Sequence, residues 1–182
     1  MFFLRKSTLE RLPVVMSGVR TGERALQIGV DDPALVGALA AKVGLSGTAV
    51  VVVSEERSAV KARAGAARAG ALVEVQVAPL DVLPFAGEAF DVVVVHAAGV
   101  TPALSADRGV AVLRETFRVL RSGGRVVIIG GSGGGFMTRF RTSTAADTGA
   151  TLNALSAAGF KATRLLAERE GYAFLEGLKP SV

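Results

Sequence analysis

The spacing of apolar residues changes repeatedly along the chain, from unbroken runs to stripes three and four apart. Runs at 25–28, 49–53, 90–96 and 125–130 have strand length. Those at 49–53 and 90–96 are nearly pure valine, as expected of central parallel strands covered on both faces. The segment 71–77 differs, because Val73, Val75 and Val77 alternate with Glu74 and Gln76. That alternation predicts an edge strand with one face partly wet. Between the runs, 33–43 reads as a helix with Pro33 in its first turn. Residues 55–69 read as an Ala-rich helix with acids first and Lys/Arg later, in accord with the macrodipole. Val110, Leu113, Phe117 and Leu120 form a helical stripe, closed by Ser122-Gly123-Gly124 as C-cap and turn. The alternation predicts an α/β fold with a doubly wound, mostly parallel sheet.

The C-terminal third breaks this rhythm. Residues 130–144 form a Gly/Ser/Thr-rich connector, and a helix is expected from about 145 to 158. Two strand candidates, 160–167 and 172–178, are joined by Glu168-Arg169-Glu170-Gly171. So short a connection implies an antiparallel hairpin. No repeat or interdomain linker interrupts 1–182, so a single domain is expected, with 1–17 as an N-terminal helical cap segment. In that segment Phe2, Phe3, Leu4, Leu9 and Leu12 stand beside Arg5, Lys6 and Arg11. They could dock on a membrane or partner, or cover the domain's own core, the reading favoured here.

Composition removes several chemistries. The chain has 182 residues, no cysteine and one histidine, which leaves no disulfide, thiolate nucleophile or His/Cys metal site. Half of it is hydrophobic, yet no apolar run approaches the ~20 residues of a membrane span. The first residues lack the pattern of a secretory signal, so a cytoplasmic location is expected. The formal charge is +5, but its arginines are scattered, with one Tyr and no Trp for base stacking. That distribution argues against a nucleic-acid partner and for solvated helix faces.

Candidate chemistry concentrates at the first strand-to-helix junction, Gln27-Ile28-Gly29-Val30-Asp31-Asp32-Pro33. Glycines follow the first strand of a nucleotide loop because backbone must approach the ligand closely. Here Gly29 is followed by Asp31 and Pro33. Two readings stand: an altered cofactor loop, or a turn in which Asp31 or Asp32 caps the helix at Pro33, with the cap favoured. His96, ending an apolar strand, is either a general base at a carboxyl edge or a structural residue. The Gly130–Gly135 run lacks the lysine and helix of a phosphate loop and reads as a shortened substrate-cap segment.

From about residue 18 to 180 the chain resembles class I S-adenosylmethionine (SAM) dependent methyltransferases, specifically the ubiquinone/menaquinone-biosynthesis (methyltransferase type 11) group. The resemblance rests on Leu83-Pro84-Phe85 with Ala89-Phe90-Asp91-Val92-Val93, on Leu113-Arg114-Glu115 leading into Arg118-Val119-Leu120-Arg121-Ser122-Gly123-Gly124-Arg125, and on Ala158-Gly159-Phe160 before the hairpin. It implies a Rossmann-like methyltransferase fold with seven strands, the third at one edge, and SAM or S-adenosylhomocysteine as cofactor. No metal is implied.

The cofactor positions depart from the family pattern. The acid-x-Gly-x-Gly-x-Gly motif falls on Gln27, Gly29, Asp31 and Pro33. The ribose-binding acid falls on Val53, with Ser54 and Glu55 beside it. The acid near adenine falls on Pro79, with Leu80 and Asp81 following. A hydrogen bond to a charged partner contributes about 1.5–3 kcal/mol, so losing the ribose acid alone would weaken binding roughly 10- to 100-fold. Asp31 would oppose the methionyl carboxylate by about 1–4 kcal/mol at ~4 Å. The candidate cofactor residues are therefore Gln27, Gly29, Asp31, Ser54, Glu55, Leu80 and Asp81, with His96 as candidate catalytic residue. Ser54, Glu55 and Asp81 are also ordinary helix-start or loop residues.

Two functions follow. The first is a degenerate methyltransferase, kept as a scaffold or partner subunit with weak or no SAM binding. The second is a working methyltransferase acting on a small, apolar acceptor. The first is placed ahead because several cofactor positions fail together while the structural motifs remain. A dinucleotide-dependent dehydrogenase comes third, for want of the glycine pattern. Partners are a small-molecule acceptor or a protein, and a homo-oligomer is left open.

Overall fold

The structure is a computed structural model that describes residues 11–96, 107–131 and 145–181. Its strands are β1 (Arg24–Ile28), β2 (Thr48–Val53), β3 (Glu74–Val77), β4 (Phe90–Val95), β5 (Leu120–Gly131), β6 (Lys161–Arg169) and β7 (Tyr172–Leu178). Its helices are α1 (Leu12–Met16), α2 (Pro33–Val43), α3 (Glu56–Ala69), α4 (Asp107–Val119) and α5 (Ala145–Ala157). The strands form one seven-stranded sheet in the order β3-β2-β1-β4-β5-β7-β6. β1 to β5 pair in parallel, and β7 returns antiparallel between β5 and β6.

The valine runs are central, as their composition predicts. Val50, Val52, Val93 and Val95 face one apolar layer with Leu113, Leu155 and Phe160, under α4 and α5. Val92 and Val94 face a second layer with Val14, Leu35 and Leu39, under α1 and α2. A third, smaller layer joins Val51 and Val53 to Ala59 and Ala62 of α3. β3 lies at the sheet edge as its alternation predicts, but it starts at Glu74. Leu72, expected inside it, is 79% exposed.

Two further segments differ from expectation. The helix stripe ends at Val119, and Ser122-Gly123-Gly124 lies within β5 rather than in a helix cap. The β4–β5 register shifts between Phe90 and Val92, which takes up the extra residues, and Gly123 sits at φ +73° within that excursion. Gly130 and Gly131, expected to open the connector, are the last residues of β5. The rest of the connector, 132–144, lies outside the described residues, as do residues 1–10 of the 1–17 cap segment, whose remainder contains α1 packed against α2. The hairpin turn is Glu170-Gly171, with φ of +56° and +79°, the doubly left-handed pattern of a tight two-residue turn.

α2 is apolar almost all round because it lies between the sheet, α1 and α3. It meets α3 backbone to backbone. A Cβ on Gly65 of α3 would overlap the Pro33 carbonyl oxygen, and one on Gly37 would come within 2.6 Å of the Gly65 carbonyl oxygen. Gly149 of α5 faces nothing within 4 Å. The same substitution should therefore have opposite signs at two helical positions. Gly149→Ala should stabilise by about 0.5–1 kcal/mol through helix propensity. Gly65→Ala should destabilise by about 1–3 kcal/mol through overpacking, and urea unfolding of the two variants measures both.

Candidate functional site

All eight candidate residues reach the carboxyl edge of the parallel strands. Leu80 and Asp81 follow β3, Ser54 and Glu55 follow β2, Gln27 to Asp31 span the end of β1, and His96 follows β4. Between β1 and β4 the strand order reverses direction, and open α/β sheets bind ligands in the crevice at such a switch point.

Gln27 of β1 and His96, the residue after β4, lie at that switch point. By alternation, Gln27 shares the face of Ala25, toward α1 and α2, and His96 shares the face of Val92 and Val94. Gln27 is 4% exposed, and its Nε2 donates to the Gly29 carbonyl at 3.0 Å. The amide head therefore sits at the level of residue 29. Ile28 pairs with Val95, and the His96 amide donates to the Ile28 carbonyl at 2.9 Å, so His96 occupies the next rung. His96 is 2% exposed. Among the described residues, neither Gln27 Oε1 nor His96 Nδ1 has a hydrogen-bond partner. Burial pushes the His96 imidazole below its ordinary pKa; the nearby Asp31 and Asp32 carboxylates pull the other way, and Arg11 adds to the lowering.

The start of α2 is closed by its own residues. Asp32 is the N-cap, and its side chain accepts from the Ala34 amide at 2.9 Å. The Leu35 amide donates to the Asp32 carbonyl at 3.1 Å, and Pro33 has no N–H. No amide of residues 33–35 is left for an anion. Arg11 adds an ion pair to the other Asp32 oxygen at 2.6 Å. Of the two readings of this junction, the structure displays the cap, made by Asp32.

The remaining candidates follow β2 and β3 along the same edge. Val53, where the ribose acid was expected, is 2% exposed and packs with Val30, Val36 and Val51. Ser54 and Glu55 are exposed, Glu55 is the α3 N-cap without a side-chain cap bond, and its carboxylate meets Arg57 at 3.4 Å. Leu80 packs on the main apolar layer, and Asp81 is half-buried in the turn after β3. The segment 97–101 after His96 lies outside the described residues.

Residues that carry the family resemblance build scaffold instead. Glu115 accepts from the Leu83 amide at 2.7 Å, and Arg118 donates to the carbonyls of Phe85 at 2.8 Å and Leu83 at 3.1 Å. Glu115 and Arg118 also pair at 2.7 Å, which holds the Glu115 carboxyl below its usual range. Phe85 stacks edge-on against Phe90 at 5.1 Å. The Leu-Pro-Phe loop is thus clamped to α4.

Sequence reasoning missed Tyr172 and the role of Arg11. Burial raises the Tyr172 phenol, which also senses Arg11, Asp32 and Glu170. These groups meet only because β7 inserts beside β5 and α1 packs on α2. Only the capping geometry of Asp32 had a sequence signal.

A doubly wound, mostly parallel sheet ending in a reversed hairpin defines a class of Rossmann-like α/β fold. Within that class the chain matches the methyltransferase domain family over residues 26–128, more than half its length, and it belongs to that family. It is 33% identical over 109 residues to the ubiquinone/menaquinone biosynthesis C-methyltransferase UbiE of Geotalea daltonii. That match covers 60% of this chain and 41% of the relative. A SAM-dependent methyltransferase from Aquifex aeolicus superposes with a TM-score of 0.71 at 16% identity, covering 91% of this chain and 86% of that one. A SAM-dependent O-methyltransferase from Thermotoga maritima gives 0.71 at 16%, covering 92% and 63%. The [4+2]-cyclase SpnF gives 0.67 at 19%, covering 94% and 80%. At these identities the structures show the fold.

The fold implies SAM or S-adenosylhomocysteine as ligand, and the residues fit it only in part. Gly29, at φ +81°, keeps the positive-φ backbone turn after β1 that favours glycine. The closed α2 start does not fit a ligand carboxylate, and Val53 does not fit a ribose hydroxyl pair. No helix among the described residues is long and apolar enough to cross a membrane.

His96 gives this crevice a measurable signature. Its lowered pKa means the unfolded chain binds the proton more readily, so stability should be full above about pH 6.5 and fall as pH drops below that value. It is the chain's single histidine, and carboxylates titrate lower. Unfolding measured between about pH 7.5 and 5.5 should show this loss in the wild type and a flatter profile in His96→Leu.

Proposed function

We propose that this chain is a methyltransferase-fold protein whose SAM site has closed, retained as a scaffold or partner subunit that binds SAM and S-adenosylhomocysteine weakly. The observation that carries this reading is the α2 start, where Asp32 and Pro33 leave no free amide. An anion at a helix N-terminus depends on those donors and on the positive end of the dipole. Asp32 already supplies that negative charge. The intact Leu83–Glu115–Arg118 clamp supports the same reading, since the fold's framework persists where its ligand contacts do not. A methyltransferase fold also houses a differently named activity in the [4+2]-cyclase, so fold and methyl transfer are separable.

A second reading, methyl transfer to a small apolar acceptor, is favoured by His96, a buried imidazole held neutral at a strand's carboxyl end. The UbiE relative supports a quinone-like ring as acceptor class. In that role His96 would take a proton from the acceptor as its methyl bond forms.

Calorimetric titration separates the two. SAM and S-adenosylhomocysteine should bind no more tightly than about 100 μM, and a low-micromolar dissociation constant would overturn the closed-site reading. Asp31→Gly with Pro33→Gly removes a carboxylate and restores an amide, and should raise SAM affinity at least about tenfold. Val53→Asp is unsuitable as a ribose-site repair, because Val53 lies in an apolar layer and the charge would be buried.

A further inference from the structure

The sheet has two edges, and they are built differently. β6 carries the devices by which proteins keep an edge strand from pairing: register breaks at Lys161/Arg164 and Leu165/Ala167, the cations Lys161, Arg164 and Arg169, and Ala162 at φ +49°. Apart from its shortness, β3 carries none of them. Glu74-Val75-Gln76-Val77 pairs with β2 in unbroken register and holds no Lys, Arg or Pro. Its outer side is unpaired among the described residues. The Ala78 amide donates to the Val53 carbonyl at 3.0 Å, so Ala78, Gln76 and Glu74 turn their backbone groups toward β2. Val75 and Val77 therefore aim N–H and C=O outward, and Val73, just ahead of the strand, continues that row. Val73 and Val75 pack on the α3 side of the sheet, and Glu74 and Gln76 lie on the other. Along the strand, Gln76 Nε2 donates to Glu74 Oε1 at 2.6 Å.

An antiparallel copy of the same strand complements this edge. With a two-fold axis at Val75, that residue meets the partner's Val75, while Val73 and Val77 meet the partner's Val77 and the partner's Val73. The outward backbone groups then bond each other. On the α3 side the valines of both strands form one apolar row. On the other side Glu74 faces the partner's Gln76 and Gln76 faces the partner's Glu74, so carboxylate meets amide twice and no like charges are opposed. No other axis sets Glu74 opposite Gln76. The same register sets residues 70–74 opposite residues 76–80 of the partner subunit. A groove of about 540 Å³ lies there, between the ends of α2 and α3, with Leu45, Ala71, Leu72, Val73 and Glu74 in its lining. Leu45 and Leu72 are 89% and 79% exposed, and Val82, just past the facing residues, is 68% exposed. An interface of ordinary size takes about 800 Å² from each partner, more than so short a strand supplies. The apolar groove adds the surface that the strand lacks.

We propose that β3 is a self-recognition edge whose partner is a second copy of this chain, paired antiparallel about Val75 so that two seven-stranded sheets join into one. Such a contact uses the same surface on both copies and closes at two. It lies at the sheet edge rather than at the β1–β4 switch point, so it does not depend on whether SAM binds.

Sedimentation velocity of the full chain, from about 5 μM to about 100 μM, is the test. The wild type should reach twice the 18.6 kDa mass of one chain. Val75→Pro removes the central outward N–H but no bond to β2, and should leave a monomer. Gln76→Glu opposes carboxylates twice and should weaken the dimer about five- to tenfold, whereas Gln76→Lys opposes unlike charges and should leave it as tight or tighter. Leu165→Lys, on the other edge, should change nothing. Thermal unfolding checks that each variant folds, and if Val75→Pro does not, the opposite effects of the two Gln76 variants decide. A wild type that stays monomeric across the range overturns the inference, as does an assembly larger than a dimer. So does a dimer that Leu165→Lys dissolves, or one that Gln76→Glu and Gln76→Lys affect alike.

Discussion

The close approach of α2 to α3 is the constraint on which the rest of this structure depends. With Pro33 carbonyl against Gly65 and Gly37 against Ala69 and Gly65, the two helices have no room for a methyl group between them. That contact places the first residue of α2 beside the end of β1, and residues 29–32 must join the two. Gly29 makes the turn at positive φ, and its amide donates to the Val52 carbonyl at 2.9 Å. Asp32 is left at the helix end, where its side chain serves as cap and as partner to Arg11. The engagement of the Ala34 and Leu35 amides by Asp32 is thus a consequence of how the helix is started and where it is packed.

Stability and ligand recognition diverge at this edge. A helix N-terminus can spend its free amides and dipole on its own aspartate or on a ligand's anion, and the same donors cannot serve both. Here they serve the helix. Val53 shows the same choice at β2, where an apolar side chain completes the layer with Val51, Ala59 and Ala62. Gln27 and His96 run against this trend. They keep polar atoms buried at the switch point where apolar residues would pack more favourably, and this contrast separates the crevice from the core around it.

The residues by which the chain is related to methyltransferases turn out to be framework. Glu115 and Arg118 bind the backbone of Leu83 and Phe85, so the Leu-Pro-Phe loop is held to α4 from both its donor and acceptor sides. Asp91 takes a comparable place at the other end of the sheet. Its partial burial opposes ionisation, but the Arg24 amide and the Arg121 guanidinium outweigh that and lower its pKa. Such residues are recognisable in sequence because their geometry is needed whatever the crevice binds. Family membership and ligand chemistry are therefore separate questions in this chain.

The sequence by itself determined the sheet and most of its elements. Unbroken valine at β2 and β4 can be buried on both faces only in a parallel sheet flanked by helices, and α2 has the same bounds, Pro33 to Val43, in pattern and in structure. Alternation at Val73, Val75 and Val77 sufficed to put β3 at an edge, and the short Glu168-Arg169-Glu170-Gly171 connection to make the last pair antiparallel, though Glu168 and Arg169 belong to β6 itself. Boundaries set by long-range pairing were not legible: Ser122-Gly123-Gly124 has the composition of a helix cap, but its Gly123 and Gly124 bond to Lys179 beyond β7. The crevice was legible only as a set of positions. Gln27 and His96, 69 residues apart by number, come to the same carboxyl edge through the β1–β4 register, and Arg11 reaches Asp32 through the packing of α1 on α2. Local pattern encodes which face of an element is buried; which polar atoms meet at that face, and whether they find partners, is decided only when separate elements pack.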